Sequence, residues 1–471
     1  MIEETAYRTS RQSTIRARVY LRHGRRRERG RAGEESRPRS FSATVAEYIS
    51  SRSQPTIGSP IWAGRVIRNC GKEEATRLRQ RALASIVILV LLLGLGGLGL
   101  ALSLDASGEG NADLYLSPEG SDDSPCSESE PCLTLQRAYN VAEPGWTVEL
   151  AGGAYQTQSL AGTKEEPGVI FRPADAAAVS TGELTISADR VELRAMRITS
   201  WKTTKDASYL TFRDVSHGWF GLWSASHVSL IGGEVDGGGT VTTDPQITEE
   251  WGSGIAPEHV LIDGVSFHDW IDVDVNQANH IECLQAGAGV DVTIRNSRFG
   301  NCGTHDIFVR SWGGTGGGVH PLREWRIENN FFGTTSDGYY ALQFKNDLGS
   351  SGADVVIRNN SFLQTVAFDA DATTDVQMIG NILSWQASWG CSADVYRHNV
   401  YEQLAGTDGP CGDTDRVAPA DYVDRTALDL HLAEGSVAID AGDPDSYPAQ
   451  DVDGETRPMG DVPDAGADER E

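Results

Sequence analysis

A short pattern of apolar positions recurs between residues 193 and 401. In each copy, one apolar residue is followed by a second one five positions later, and the first members are spaced 18 to 37 residues apart. Seven of the eight copies have a further apolar or aromatic residue two positions before the first member, on the same face of a strand. The eight pairs are Leu193/Ile198, Leu230/Val235, Ile262/Phe267, Ile294/Phe299, Ile327/Phe332, Ile357/Phe362, Met378/Leu383 and Tyr396/Tyr401.

A corner must separate the two apolar residues of each pair, because an odd spacing in a straight strand would point them to opposite faces. Every copy except the first has glycine or asparagine two or three positions after the first member, and these residues tolerate a left-handed backbone. The pattern predicts strand, bend, strand and variable loop, repeated as a parallel β-solenoid. A β-propeller is the alternative, but its blades have a steadier repeat of about 40 residues. Four asparagines at one offset are expected to form an internal amide ladder: Asn330, Asn360, Asn381 and Asn399.

A second set of strands is predicted between the corners, at residues 280–285, 305–309, 339–346 and 365–371. If the apolar residues of these strands point inward, their neighbours point outward. The register of the first strand is ambiguous, and we favour the arrangement with His280 and Glu282 outward. One external face would then carry acids, bases and amides together: His280, Glu282, Asp306, Arg310, Gln343, Lys345 and Asp369.

The N-terminal region differs in charge from the rest of the chain. The formal net charge is −27, yet residues 1–81 hold 19 Lys and Arg against 8 Asp and Glu. Residues 82–104 lack any charge and are long enough to cross a hydrocarbon core of about 30 Å. Arg77, Arg79 and Arg81 precede this segment, so the positive-inside bias predicts a cytoplasmic N-terminus and an exported C-terminal part. A cleaved signal peptide, with a site near Ala101 to Ser103, is the alternative and also exports the remainder.

Cysteine placement agrees with export. Cys70 precedes the apolar segment, whereas six cysteines follow it, and an even number in an oxidising compartment indicates disulfides. Six cysteines permit 15 pairings. The simplest prediction joins sequence neighbours, with free buried thiols as the alternative: Cys126 with Cys132, Cys283 with Cys302, and Cys391 with Cys411.

Two segments resemble a known family. Residues 114–155, LYLSPEGSDDSPCSESEPCLTLQRAYNVAEPGWTVELAGGAY, resemble the start of bacterial extracellular right-handed parallel β-helix proteins related to pectate lyases. Within them, Thr134 can cap a short amphipathic helix that covers the first coil. Residues 435–466, with AIDAG and DVDGETRP, resemble a closing segment called a choice-of-anchor domain. The resemblance implies an all-β, right-handed parallel β-helix and an extracellular location.

The resulting domain prediction has five parts. A disordered basic cytoplasmic tail covers residues 1–81, a transmembrane helix 82–104, a linker 105–113, the β-helix 114–434 and the closing segment 435–471. Membrane lipid headgroups explain the basic tail more simply than nucleic acid does. The acidic charge of the exported part also argues against nucleic acid as its partner.

Two reactions fit residues on the predicted external face. The resemblance implies a polysaccharide lyase, which needs a base such as Lys345 or Arg310 and a cation to neutralise a uronate. A glycoside hydrolase would instead need two carboxylates, and Glu282 and Asp306 are the first pair to consider. An ordinary solvated sheet with cross-strand charge pairs is the alternative. The strings that usually mark pectate lyases and polygalacturonases are absent from the sequence.

Acidic clusters and tryptophans suggest further sites. Calcium prefers oxygen ligands, which occur at Asp269, Asp272 and Asp274 and again at Asp451 and Asp453, although an Asx turn also explains the latter. No spacing matches a zinc site. Tryptophans of the long loops, Trp270 and Trp312 among them, either stack on sugars or cover the core. His217, His227 and His320 are given no role.

The sequence hypothesis is a cell-surface β-helix that binds an extracellular polysaccharide, with cleavage of that polysaccharide as a candidate activity. Its candidate catalytic residues are His280, Glu282, Asp306, Arg310 and Lys345, with Gln343, Trp270 and Trp312 as substrate contacts. Calcium is the one cofactor considered. A non-catalytic surface or adhesion scaffold is the alternative.

Overall fold

The structure is a computed structural model of the chain. It describes residues 111–272, 280–310, 322–336, 338, 340–345, 354–368, 375–385, 391–404 and 409–470. The chain divides into two units, Met1–Ser103 and Leu104–Glu471, and every described residue belongs to the second. Within the described ranges, no helix has the length and apolar character needed to span a membrane. The predicted membrane segment at 82–104 and the basic tail lie outside those ranges.

Parallel strands wind into a β-helix whose coils have three faces. Face 1 precedes each predicted corner and consists of β1 (Leu114–Leu116), β2 (Thr147–Leu150), β5 (Val169–Pro173), β8 (Ser208–Arg213), β10 (Ser226–Ile231), β13 (Glu258–Asp263), β16 (Gly289–Arg295), β19 (Leu322–Glu328), β22 (Val355–Arg358), β25 (Val376–Ile379) and β27 (Val395–Arg397).

Face 2 follows the corner. It consists of β3 (Gly153–Tyr155), β7 (Arg197–Thr203), β9 (Ser216–Trp223), β11 (Glu234–Val241), β14 (Ser266–Asp272), β17 (Arg298–Cys302), β20 (Phe331–Phe332), β23 (Ser361–Phe362), β26 (Ile382–Leu383), β28 (Val400–Tyr401) and β29 (Arg416–Val417). Face 3 closes each coil with β4 (Gln158–Gly162), β12 (Gln246–Thr248), β15 (Glu282–Ala286), β18 (His305–Val309), β21 (Leu342–Phe344) and β24 (Val366–Phe368). The long strand β6 (Val179–Arg194) pairs with strands of all three faces.

The predicted pairs stack in register, which confirms the repeat. The first members from Leu230 to Tyr396 are consecutive partners on face 1. The second members do the same on face 2, where Phe267, Phe299, Phe332 and Phe362 stack with ring centroids 4.7, 4.9 and 4.5 Å apart. These separations match the usual strand spacing of about 4.7–4.9 Å, so each ring lies on the ring of the previous coil.

One coil was not recognised from the sequence pattern. The spacing of 37 between Leu193 and Leu230 contains a further unit, in which Phe212 is the first member and His217 occupies the apolar second position. His217 is buried and accepts a hydrogen bond from Trp201 Nε1 at 2.8 Å. Burial lowers the pKa of His217 to about 3, so the imidazole is neutral in the core.

The corners have the predicted left-handed backbone. Gly264, Asn296, Asn329 and Gly380 have φ between +52° and +70°. In the first copy, which lacks Gly and Asn, Ala195 takes this conformation with φ +46°. A left-handed non-glycine residue costs about 1–2 kcal/mol, and the stacked strands on both sides compensate for this cost.

The predicted amide ladder is present. The Nδ2 atom of Asn330 donates to Oδ1 of Asn360 at 2.9 Å, and the same bond links Asn360 to Asn381 and Asn381 to Asn399 at 3.0 Å. Each of the four side chains is fully buried. Asp415 ends the ladder by accepting from Asn399 Nδ2 at 3.1 Å.

The N-terminal helix α1 (Leu135–Val141) begins as predicted. The Thr134 hydroxyl accepts a hydrogen bond from Arg137 N at 3.1 Å, which satisfies one of the free amides of the first turn. Leu135, Ala138 and Tyr139 are buried against the first coils. The helix therefore covers the start of the β-helix.

The residues that follow β29, 418–470, form a C-terminal segment that lies along the side of the β-helix, whereas the sequence suggested a closing segment at its far end, from residue 435 onward. It contains an antiparallel pair, β30 (Tyr422–Asp424) and β31 (Asp429–Leu432), joined by a short 3₁₀ helix at Arg425–Ala427. Ala467 N donates to Ser361 Oγ at 3.1 Å, and Gly466 N donates to Gly380 O at 2.7 Å. The segment thus covers the outer side of face 2.

Three disulfides connect the predicted neighbours. The bonds join Cys126 to Cys132, Cys283 to Cys302, and Cys391 to Cys411. The simplest sequence pairing is therefore confirmed.

Candidate functional site

Face 3 carries the residues on which the sequence analysis placed function. Strands β15, β18, β21 and β24 are consecutive partners, and β12 pairs with β15 on the other side. Ile307, Val309, Leu342 and Phe344 are fully buried in the interior. Alternation therefore places Phe308, Arg310, Gln343 and Lys345 on the outer side, as predicted for the last three. Lys345 Nζ lies 5.4 Å from the centroid of the Phe308 ring, in agreement with this orientation.

A bulge reverses this alternation at the start of β18. The backbone amides of Asp306 and Ile307 both donate to Ala341 O, at 3.0 and 2.9 Å. Two successive amides on one carbonyl mark an extra residue in the ladder, which shifts the strand by one position. His305 consequently joins the outer side, where its ring stacks on Phe308 with centroids 5.0 Å apart.

Asp306 does not join the external face that the sequence predicted. Its side chain is fully buried, and neither carboxylate oxygen has a hydrogen-bond partner among the residues that the structure describes. Burial raises the pKa of Asp306 well above its ordinary value. The carboxyl is therefore neutral, because no hydrogen-bond donor stabilises a negative charge at this position. The bulge is the physical reason for the difference, because a shift of one residue moves a side chain to the opposite face.

Glu282 forms the centre of the polar cluster. Its side chain is 0% exposed and lies beside the carboxyl of Asp244, which is 6% exposed. Burial, and after it the neighbouring charge of Asp244, raise the pKa of Glu282 to about 10, whereas Gln285 and Lys345 oppose the shift. Burial also raises the pKa of Asp244. Two neighbouring buried carboxyls do not both ionise, so Glu282 retains a proton at neutral pH.

His305 and Gln343 extend this cluster across two more strands. His305 Nδ1 lies 3.3 Å from Glu282 Oε1, and Gln343 forms a side-chain hydrogen bond with His305. Burial lowers the pKa of His305 to about 3, and the positive charge of Lys345 contributes to this shift. The imidazole is therefore neutral under ordinary conditions. The face presents a neutral acid, a neutral imidazole and a cation within neighbouring strands.

Two predicted residues lie at the margin of this cluster. His280 is exposed, has a left-handed backbone with φ +52° and acts on His305 through charge alone. Arg310 is half-buried and occupies the register position next to Lys345 on the adjacent coil. Asp369 lies outside the described residues.

Two residues of the polar cluster, Asp244 and His305, were not among the site residues predicted from the sequence. Asp244 belongs to the turn between β11 and β12 and has no place in the apolar repeat, so only its spatial approach to Glu282 identifies it. His305 was in a predicted strand, but the alternation pointed it inward. The run of polar residues in HDIFV, with His and Asp adjacent, was the one available signal.

The tryptophan prediction fails at Trp270. Its side chain is 2% exposed and its Nε1 donates to Val235 O at 3.2 Å, so the ring is part of the core and presents no surface to a sugar. Trp312 lies outside the described residues. Trp251 is 81% exposed and was not chosen from the sequence.

The predicted calcium cluster has a different composition in the structure. Asp269 groups with Asp236 and His268, and their ligand atoms lie within 4.8 Å of one another. His268 Nδ1 is 2.9 Å from Asp269 Oδ2, and Nε2 is 3.4 Å from Glu234 Oε2. Both imidazole nitrogens therefore have carboxylate partners, and an ion-pair cluster explains the arrangement. Asp272 lies at the end of β14, and Asp274 lies outside the described residues.

The second acidic pair forms the expected turn. Asp451 Oδ1 accepts from the amides of Asp453 and Glu455 at 3.0 and 2.7 Å, as in an Asx turn. Asp453 also lies 2.6 Å from His431 Nε2, in a group with Asp468. Burial raises the pKa of Asp468 to about 6. All three residues of this group belong to the C-terminal segment, and the group lies apart from face 3.

Comparisons with known proteins give similarity in fold. No family model matches the chain, and no curated protein matches it. A pectate lyase, Pel9A, is 14% identical, covers 78% of this chain and 98% of its own, and has a TM-score of 0.45. XylC in complex with xylose is 9% identical, with coverages of 75% and 98% and a TM-score of 0.41. An alginate lyase from Paenibacillus sp. str. FPU-7 is 14% identical, with coverages of 60% and 95% and a TM-score of 0.35.

These neighbours include pectate-lyase-like parallel β-helix proteins, among them polysaccharide lyases. The identities and TM-scores are too low to assign an activity or a substrate. The chemistry of face 3 must carry that argument.

Proposed function

We propose that the chain binds an acidic polysaccharide on face 3 and cleaves it by β-elimination. The observation that carries this proposal is the buried carboxyl pair of Asp244 and Glu282 beside Lys345, where burial raises the pKa of Glu282 to about 10. A carboxylic acid that remains neutral near pH 7 can donate a hydrogen bond or a proton. Such a donor is what a departing sugar oxygen requires.

Each step of the elimination has a residue available. A base removes the proton next to the uronate carboxyl, a carbon–carbon double bond forms, and the glycosidic carbon–oxygen bond breaks. Lys345 in its unprotonated form is the proposed base, and Glu282 is the proposed acid that protonates the leaving oxygen. Arg310, which is always protonated and presents a planar fork of donors, is suited to hold the uronate carboxylate.

Hydrolysis finds less support among the described residues. Glycoside hydrolases place their two carboxyl groups about 5–5.5 Å or about 6.5–9.5 Å apart, on opposite sides of the bond. Asp244 and Glu282 lie side by side rather than on opposite sides of a groove. Asp306 is enclosed in the interior.

A non-catalytic binding scaffold is the second candidate. The observation in its favour is the burial of the cluster, since Glu282, His305 and Gln343 are each less than one-tenth exposed and bond to one another. Polar networks of this kind also serve to fix strand register. A scaffold would bind glycans and release no product.

The proposed location is the outer surface of the cell. Residues 82–104 would form the membrane anchor with a cytoplasmic N-terminus, and the right-handed β-helix would lie outside. Three disulfides in the C-terminal unit support an oxidising compartment. The AIDAG and DVDGETRP motifs resemble a choice-of-anchor domain, and the segment that contains them lies along the side of the β-helix. Calcium could assist by neutralising the uronate, and its dependence is part of the test below.

The test uses the purified full-length chain and a panel of acidic and neutral polysaccharides. Absorbance of unsaturated products and release of reducing ends are measured together, with and without a calcium chelator. Glu282→Gln and Lys345→Gln should abolish the unsaturated product, while the exposed control Lys205→Gln should leave it unchanged. Reducing ends without absorbance would replace elimination by hydrolysis. Glycan binding without any product would support the scaffold, and the absence of both would overturn the proposal.

A further inference from the structure

A row of stacked side chains crosses the outer side of face 1, away from the face 3 site. Arg190, Tyr209, His227, His259 and Asp291 occupy the same position on five consecutive coils, and each has a left-handed backbone with φ between +51° and +55°. The Arg190 guanidinium lies 4.4 Å from the Tyr209 ring centroid. The centroid of Tyr209 is 4.3 Å from that of His227, which in turn is 4.5 Å from that of His259.

Arg190, Tyr209, His227 and His259 of this row line a groove of about 450 Å³. The ring faces are covered by one another, so a ligand in the groove meets the ring edges. Those edges carry the phenol oxygen of Tyr209, which is 45% exposed, and the nitrogens of two histidines. Edge nitrogens can bind a ligand as acceptors or as metal ligands.

The two histidines present the same nitrogen to the groove. His259 Nδ1 lies 2.6 Å from Asp291 Oδ2, which leaves Nε2 as its open position. His227 Nδ1 is buried and has no partner in the described part of the chain, so Nε2 is again the nitrogen available at the surface. A histidine whose Nδ1 is held by a carboxylate is the usual arrangement of a metal ligand, because the carboxylate fixes the ring and increases its basicity.

The separation of the rings fits one shared ion. Zinc binds imidazole nitrogen at about 2.0–2.1 Å, so two such nitrogens on one ion lie no more than about 4.2 Å apart. The two ring centroids lie 4.5 Å apart on neighbouring strands, with the rings inclined by 42°, so the rings themselves are close to that limit. The carboxylates of Glu258 and Asp291 act on His227 through charge and attract a cation, while the cation Arg190 is separated from it by Tyr209.

We propose that His227 and His259 bind a divalent transition-metal ion through their Nε2 atoms, with Asp291 as a positioning residue. Imidazole ligands suit Zn²⁺, Ni²⁺ and Cu²⁺. Two protein ligands leave the other coordination positions open toward the groove, as in metal sites that accept an exogenous ligand. The site is independent of the chemistry proposed for face 3.

The contrast with His268 supports this choice of histidines. Both nitrogens of His268 already face carboxylates, at 2.9 Å from Asp269 and 3.4 Å from Glu234. An ion bound there would have to displace one of these contacts. His227 and His259 need no such change.

The experiment uses the full-length chain purified without a histidine tag, stripped with a chelator and dialysed. Calorimetric titration with Ni²⁺, and electron paramagnetic resonance with Cu²⁺, measure the number of ions and of coordinated nitrogens. The spectrum should show two nitrogens, and His227→Phe or His259→Phe, which keep a ring in the stack, should each remove the bound ion. Asp291→Asn should weaken binding by about 10–100-fold.

His268→Ala and His431→Ala serve as controls for the two other groups of potential ligands and should leave this ion in place. Unchanged thermal unfolding shows that each variant remains folded. Equal binding by wild type and both phenylalanine variants would overturn the proposal. So would loss of the ion in the His268→Ala control alone.

Discussion

The carboxyl group of Asp244 lies beside that of Glu282, although one residue belongs to the turn before β12 and the other begins β15. The sequence pattern does not indicate that these two elements are in contact. Their contact makes Glu282 a protonated acid on a face that also carries Lys345. Predictions about pH, stability and activity follow from this relationship and from the ladders around it.

Glu282→Gln should flatten the pH dependence of stability. Since burial raises the pKa of Glu282 to about 10, above its ordinary 4.5, the folded chain holds a proton that the unfolded chain releases between these values. The group's contribution is present below the unfolded pKa, and the free energy of unfolding falls as pH rises toward the folded pKa. One proton accounts for at most about 1.4 kcal/mol per pH unit. Urea unfolding near pH 6 and pH 8 measures this difference, and equal slopes in wild type and variant would contradict the assignment.

Asp306→Leu should stabilise the chain and preserve cleavage. The Asp306 carboxyl is buried with two unpartnered oxygens, and each unsatisfied buried group costs about 1–3 kcal/mol. A leucine of comparable size removes that cost. Thermal unfolding and the product assay are the measurements. A folded variant without activity would return Asp306 to the catalytic role that the sequence suggested.

Asn381→Ala should destabilise the β-helix by about 1–3 kcal/mol. The change removes the bonds from Asn381 Nδ2 to Asn399 and to Ile357 O, and it leaves the amide of Asn360 without its acceptor. Asn140→Ala on the exposed side of α1 is the control, with an expected change within about 0.5 kcal/mol. Denaturant unfolding compares the two. Equal effects would mean that the ladder adds no specific stability.

Cys283→Ser with Cys302→Ser should lower the free energy of unfolding by about 3 kcal/mol, as expected for a loop of this size. The disulfide is fully buried and lies next to Glu282 in sequence. Loss of the crosslink should therefore also reduce cleavage. Cys126→Ser with Cys132→Ser removes a crosslink between residues six apart, beside β1 at the start of the β-helix, and is the matched control for activity. Equal activity losses in both double variants would show that the location of the Cys283–Cys302 disulfide next to Glu282 does not matter for cleavage.

Much of the fold followed from local sequence. An apolar pair across a left-handed Gly or Asn corner requires only a few consecutive residues, so Ile262/Phe267 and its relatives were recognisable one coil at a time. The amide ladder was also predictable, because repeats place equal offsets side by side. The three disulfides were predictable because they join cysteines that are neighbours in sequence. The coil of Phe212 was missed because His217 occupies the apolar position, and only its bond from Trp201 explains how a histidine fits there.

The candidate site was predictable in part. Simple alternation placed Gln343, Arg310 and Lys345 on the outer side of face 3, and the structure has them there. The same alternation failed for Asp306 and His305, since the bulge at Ala341 O is set by the neighbouring coil. The prediction of a sugar contact at Trp270 was wrong, because a large apolar side chain near a long loop can also be buried in the core.

The sequence by itself determined the coil, its corners and the order of the strands, because each depends on residues that are neighbours along the chain. The tertiary structure decided which charges meet. Asp244 reaches Glu282, His227 stacks on His259, and the C-terminal segment lies on face 2 through contacts such as Ala467 with Ser361. These contacts depend on register between coils, and a shift of one residue would have reversed them.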